Sequence, residues 1–315
     1  MHTRELGRGG PLCSEIGFGA WAIGGPWRYG WGKTDDAVSE AAIRRALEEG
    51  VNWIDTAAVY GLGRSEEVVG RAVRGLRDRV FIATKCGQIW DAAGNVRTHA
   101  GAGSIRAEME ASLRRLGTEY VDLYQIHWPD RETPVEESWT EMARLRAEGK
   151  TRFIGVCNFG VDLLERCTRI ERVQSLQPIY NLLERGIERE ILPYCRREGI
   201  GVVAYSPMQS GLLTGSFDMR RLPPDDWRVA LSEKFREPGL SRGLALVEFL
   251  RPMAARYGVS VGRLAVAWVL HQEGITSAIV GARTPLQAAE NAAASQIRIQ
   301  SPDLEAMEEY VRRRG

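Results

Sequence analysis

Short apolar runs recur along the chain, separated by longer stretches whose apolar positions fall three and four residues apart. The runs are EIGFGAW (15–21), VNWIDTA (51–57), VFIATK (80–85), VDLYQIH (121–127), RFIGVCN (152–158), VQSLQPIY (173–180), GVVAYSP (201–207) and SAIVGA (277–282). Each has a nearly continuous apolar centre, the pattern of a strand covered on both faces. Stretches such as DDAVSEAAIRRALEEG (35–50) and SIRAEMEASLRRLG (104–117) have the helical period. Ser65 precedes EEVVGRAVRGL, and Gly50, Gly117 and Gly199 stand just before strands, where helices end. The repeated strand–helix order predicts parallel strands joined by crossovers. Eight such units predict a closed (β/α)8 TIM barrel, an α/β fold, filling residues 1–315 as one domain. A doubly wound sheet is the weaker reading, because no GxGxxG follows the first run. Residues 208–243 break the rhythm and read as a long lid-like loop.

In a parallel barrel, chemistry gathers at the C-terminal ends of the strands. Those ends are polar here. The second run ends at Asp55 with Tyr60 just beyond; the third, fourth and fifth end at Lys85, His127 and Asn158. Gln177 lies in the sixth run, Tyr205 and Ser206 end the seventh, and the eighth continues into GARTPLQ.

Taken singly, each residue has a plain reading: Asp55 as a turn or helix cap, Lys85 as a solvated charge, Tyr60 as packing, His127 as a satisfied core histidine. Their convergence on one rim favours chemistry. A phenol is a poor acid at neutral pH, but a nearby ammonium lowers its pKa, and an aspartate keeps that ammonium charged and oriented. A histidine can hydrogen-bond to the substrate oxygen. Such a set delivers a proton to a carbonyl becoming an alcohol, and it needs a hydride source.

Composition narrows the partners. Among 315 residues, 42 Lys and Arg face 41 Asp and Glu, which argues against nucleic acid and anionic membranes. No run approaches the ~18 apolar residues of a membrane span, and MHTRELGRGG lacks the apolar stretch of a signal peptide. Five scattered cysteines fit free thiols in a reducing compartment, so a cytoplasmic location is expected. Four histidines, none close together, give no support to a metal site.

The segments DTAAVYGLGRSEEVVG, ATKCG, LYQIHWPD, IGVCNF, AYSPMQSGLLTG and IVGARTPLQAAEN resemble the aldo-keto reductases, from residue 3 to about residue 300. YGLGRSE and QIHWPD look like the bacterial branch related to potassium-channel β subunits. The resemblance implies Tyr60 as general acid, with Asp55, Lys85 and His127 completing a tetrad. It implies that Asn158 and Gln177 grip the nicotinamide carboxamide and that Tyr205 stacks on its ring. Trp21, Ser206, Met208, Gly211 and Leu212 join the cofactor set, and Gly281, Arg283, Thr284, Gln287, Glu290 and Asn291 hold the adenosine end. A guanidinium fork at Arg283 suits a 2′-phosphate, so NADP(H) is favoured over NAD(H). Cys157 stands where many relatives have serine and reads as a packed thiol. Cys86 follows Lys85, where ammonium proximity would lower a thiol pKa, and is read as structural.

Trp21, Trp90 and Trp128 are expected to wall the substrate pocket, with Trp227 joining from the lid and Arg28, Arg97 or Arg131 within reach. An aromatic mouth without fixed charge suits uncharged aldehydes or ketones. The first reading is an NADPH-dependent carbonyl reductase. A second is an NADP(H)-binding redox sensor with slow turnover. A third, a lyase or isomerase using Lys85 as a Schiff base, leaves the cofactor residues unexplained. No sequence feature indicates the oligomeric state.

Overall fold

The computed structural model describes residues 1–314. A hairpin of β1 (Thr3–Glu5) and β2 (Leu12–Ser14) precedes the barrel strands β3 (Ile16–Gly19), β4 (Trp53–Asp55) and β5 (Phe81–Cys86). A second hairpin, β6 (Gln88–Trp90) with β7 (Val96–Thr98), interrupts before β8 (Val121–Ile126). The remaining strands are β9 (Thr151–Cys157), β10 (Ser175–Gln177), β11 (Gly201–Ala204) and β12 (Ile275–Gly281). β3, β4, β5, β8, β9, β10, β11 and β12 form a closed parallel barrel, sealed where Ala278–Gly281 pairs with Ile16–Gly19. The predicted (β/α)8 TIM barrel is the observed fold.

Side-chain alternation sorts each strand into two faces. On β5, Phe81, Ala83 and Lys85 face the barrel interior, while Ile82 and Cys86 pack outward against helices. Leu6 from the first hairpin joins Trp53, Leu123, Val203 and Ile279 inside, so the hairpin plugs the barrel floor. Trp53 fills the space beside Gly17, where a Cβ would lie 2.2 Å from the indole. Apolar residues fill the interior from below, which leaves the upper inward positions for polar groups.

The helices follow the expected pattern with shifted ends. The first runs Asp36–Glu48, capped by Asp35, whose side chain accepts from Val38 N at 3.1 Å. Gly117 and Gly199 close their helices in left-handed conformations. Ser65 is not the cap it was expected to be. The helix starts at Arg64 behind Gly63, and the Ser65 hydroxyl instead donates to Ala20 O at 2.9 Å.

The expected loop 208–243 is built differently. It contains short helical turns at Gln209–Thr214, Met219–Arg221, Trp227–Ala230 and Glu233–Phe235. A long helix, Gly239–Arg256, then begins before the expected end, and Gly243 lets it approach Leu212 closely. The irregular segment is therefore 208–238.

Candidate active site

Asp55 ends β4, Lys85 is the last inward residue of β5, and the chain after β4 turns back to bring Tyr60 over them. Lys85 Nζ donates to Asp55 Oδ1 at 2.6 Å, to Thr56 O at 2.8 Å and to the Tyr60 hydroxyl at 3.3 Å. The turn depends on Gly61, at φ +64°, where a Cβ would lie 1.8 Å from Gly24 O. His127, just past β8, sets its ring edge-on to Tyr60, with centroids 5.6 Å apart. The four residues named from the sequence meet at one point.

Their protonation follows from burial. Burial raises the Tyr60 pKa to about 12, outweighing Lys85, which lowers it. The expected lowering by lysine is thus present but is not the net result, and the phenol is firmly protonated. For Lys85, burial alone would lower the pKa, yet Asp55 and Tyr60 together hold it above the ordinary range. Burial, reinforced by Lys85, pushes His127 well below the ordinary histidine range. The site is a protonated phenol beside a permanent ammonium and a neutral imidazole.

Asp55, Tyr60 and His127 line a cavity of about 1500 Å³ that runs from the barrel mouth toward residues 251–263 and 281–291. Asn158, Gln177, Tyr205, Ser206, Met208 and Gly211 line its middle. Asn158 adopts φ +61°; its Nδ2 donates to His127 O at 3.2 Å and its Oδ1 accepts from the Tyr205 hydroxyl at 3.0 Å. Gln177 Nε2 donates to Asp55 Oδ2 at 2.8 Å. Gly281, Arg283, Gln287, Glu290 and Asn291 line the far end. Two expected cofactor residues do not line the cavity. Leu212 is buried against Gly243, and the Thr284 side chain is used as a helix cap, accepting from Gln287 N at 3.3 Å.

Of the expected tryptophans, Trp21 and Trp227 line the mouth together, centroids 5.2 Å apart, and Trp128 lines it while 44% exposed. Trp90 does not line it. It lies beside the Arg115 guanidinium, 6.0 Å from its ring centroid, while Gln88, Val96 and Thr98 are the hairpin residues at the cavity. Arg28, Arg97 and Arg131 are also absent from the lining.

Several lining residues escaped the sequence reading. Trp27, Tyr29 and Trp31 come from the loop after β3, and Trp31 stacks edge-on to Trp21 at 5.5 Å. Their cluster, GGPWRYGWGK, is visible in the sequence but lies beyond a strand end with no periodic signal. Arg251, Ser260 and Arg263 belong to helices or their caps, and such charges read as solvated faces. Arg263 Nε is buried without a partner. Cys86 points away from Lys85, because consecutive strand residues face opposite sides, and burial raises its thiol well above the ordinary range.

Among the described residues, no group of three or more His, Cys, Asp or Glu could hold a metal ion, and no helix is long and apolar enough to cross a membrane.

The family model described as "Aldo/keto reductase family" matches residues 15–312. An aldo-keto reductase of Bacillus subtilis, YhdN, is 43% identical over 291 residues, covering 91% of this chain and 86% of that protein. The NADH-specific methylglyoxal reductase of Escherichia coli is 36% identical over 324 residues, covering 98% of each. Among solved structures, a glycerol dehydrogenase from Gluconobacter oxydans superimposes with a TM-score of 0.88 at 38% identity, covering 99% of this chain and 95% of that one. By this match in sequence and in fold, the chain belongs to the aldo/keto reductase family of oxidoreductases.

Proposed function

We propose that this chain reversibly reduces an aldehyde or ketone to the alcohol with NADPH, and that Tyr60 is the general acid. The observation that carries this reading is the Tyr60 hydroxyl at 3.3 Å from the buried Lys85 ammonium, on the wall of a cavity of about 1500 Å³.

Tyr60 keeps its proton until the carbonyl oxygen gains charge, then donates it there. Lys85 stabilises the phenolate left behind, and Asp55 holds Lys85 in place. His127, neutral, offers an N–H to the substrate oxygen. A nicotinamide dinucleotide, when bound, supplies the hydride. Asn158 and Gln177 would hold its carboxamide, Tyr205 its ring, and Ser206, Met208 and Gly211 its pyrophosphate. The far wall fits a phosphorylated nucleotide end: Arg251, Arg263 and Arg283 line it, and Arg263 has a buried donor without a partner. Glu290, in the same wall, suits a ribose or adenine donor.

The test is dihydronicotinamide oxidation with a panel of aldehydes. Tyr60→Phe should lower kcat/KM about a thousandfold while NADPH still binds. Tight binding by the unaltered protein without turnover would favour a regulatory NADP(H)-binding role, and no binding would remove both readings. Cofactor choice needs its own test, because the Escherichia coli relative is named NADH-specific. Arg283→Ala should raise the KM for NADPH about tenfold or more and leave that for NADH nearly unchanged. An equal loss with both cofactors would count against a 2′-phosphate contact.

A further inference from the structure

Asp55 shares a layer of buried polar side chains inside the barrel with the two amides it meets. Gln125 projects into the barrel from β8, beside Lys85 across the ladder, and is fully buried. Its Nε2 lies 3.5 Å from Asp55 Oδ2, and its Oε1 accepts from Gln177 Nε2 at 3.4 Å and from Cys157 Sγ at 3.8 Å. Gln177 donates to the same Asp55 oxygen at 2.8 Å. The two oxygens of Asp55 are thus divided: Oδ1 faces Lys85 and Oδ2 faces two amides.

A buried amide is costly unless its polar atoms are used, and a leucine would fill similar space without that requirement. Both polar side-chain atoms of Gln125 reach Asp55 or a residue beside it: Nε2 meets Asp55, and Oε1 meets Gln177 and Cys157. The ionisable groups facing this layer are Asp55 from β4, Lys85 from β5 and Cys157 from β9, with Tyr60 and His127 above. Asp55 is the one carboxyl side chain among them, and both amide donors converge on its Oδ2.

We propose that Gln125 is a positioning residue of the reaction, which with Gln177 fixes Oδ2 of Asp55 so that Oδ1 stays aimed at Lys85. This rests on the acid–base reading above. Each amide donor also draws charge from the carboxylate. Without Gln125, Asp55 claims more of the Lys85 ammonium, less remains for the Tyr60 phenolate, and Gln177 loses the acceptor that limits its swing.

The experiment follows NADP-dependent alcohol oxidation against pH, because that direction starts from the phenolate. Q125L should lower kcat about tenfold and displace the alkaline rise to higher pH, with KM and NADP binding changed less than about threefold. Q125E is the second variant, close to glutamine in shape. Its introduced carboxyl, when protonated, donates to Asp55 as the amide does; ionised, it opposes Asp55, since two adjacent carboxylates resist joint ionisation. The ratio of Q125E to unaltered activity should therefore start near one and fall as pH rises. Q125L with unaltered kcat and pH profile would overturn the proposal. So would Q125E with a loss equal at every pH, which is packing alone. If Q125L does not fold, as judged by cofactor binding, Q125E decides. Unaltered protein whose turnover ignores Tyr60→Phe would instead sink the acid–base reading itself.

Discussion

Burial acts on Tyr60 and Lys85 in opposite senses, and their contact at 3.3 Å is where the two are reconciled. It favours the neutral form of each, so it raises the phenol and would lower the ammonium. Asp55 reverses the second tendency, leaving a charged lysine beside a protonated tyrosine. With the phenol pKa raised to about 12, carbonyl reduction should keep its acid throughout about pH 6–9, whereas alcohol oxidation should rise with pH. Lys85→Met removes the one group that lowers the tyrosine. It should cut reduction about a hundredfold and move the plateau of the oxidation profile to higher pH, read from paired pH–rate curves. An unmoved plateau would mean that Lys85 orients Tyr60 without stabilising its anion.

At the scale of elements, the turn from β4 to the next helix is the piece on which the site depends. Gly61 combines a left-handed backbone with close approach to Gly24 O, so Gly61→Ala is strained twice over. The substitution should lower stability by about 1–3 kcal/mol in urea titration and kcat by about a hundredfold, through displacement of Tyr60. Full activity in a destabilised protein would show that Tyr60 holds its place by its own contacts.

The same scale explains what the sequence disclosed. The barrel strands were legible because both faces are covered, which leaves apolar runs such as VDLYQI and TSAIVG. The meeting of Asp55, Tyr60, Lys85 and His127 was legible because strand ends are where such residues collect. The two hairpins were not, since each strand is three residues long and mostly half-exposed. Gln125 sits mid-run in a buried strand and reveals itself only through register with Lys85 and reach to Asp55. Trp90 failed for a related reason: its place after the third barrel strand was clear, but the hairpin that turns it away from the cavity was not.

For the molecule as a whole, one buried acid outside the reaction centre ties stability to pH. Glu108, on the helix Ala102–Leu116, accepts from Gly87 N at 3.0 and 3.2 Å through its two oxygens and from Ser104 Oγ at 3.1 Å. Burial raises its pKa to about 7 despite these donors. The folded chain keeps a proton there that the unfolded chain releases near the ordinary carboxyl value. That contribution is complete below the ordinary value and is lost as pH rises through about 7. Glu108→Gln should therefore exceed the natural chain in stability at about pH 8 by up to about 3 kcal/mol, and match it closely near pH 5. Denaturant midpoints at the two pH values check this; a gap of equal size at both would exclude proton linkage.

Each of the eight barrel strands is hydrogen-bonded on both sides, and the loop 24–35, the β6–β7 hairpin and the segment 208–238 all lie outside that ring. None of the three takes part in closure, yet all three contribute wall to the cavity. Their length and composition can drift without loosening the staves that carry Asp55 and Lys85. Selectivity and framework are thereby heritable apart: one lineage can trade its preferred carbonyl compound for another while the arrangement of Asp55, Tyr60, Lys85 and His127 passes down unedited.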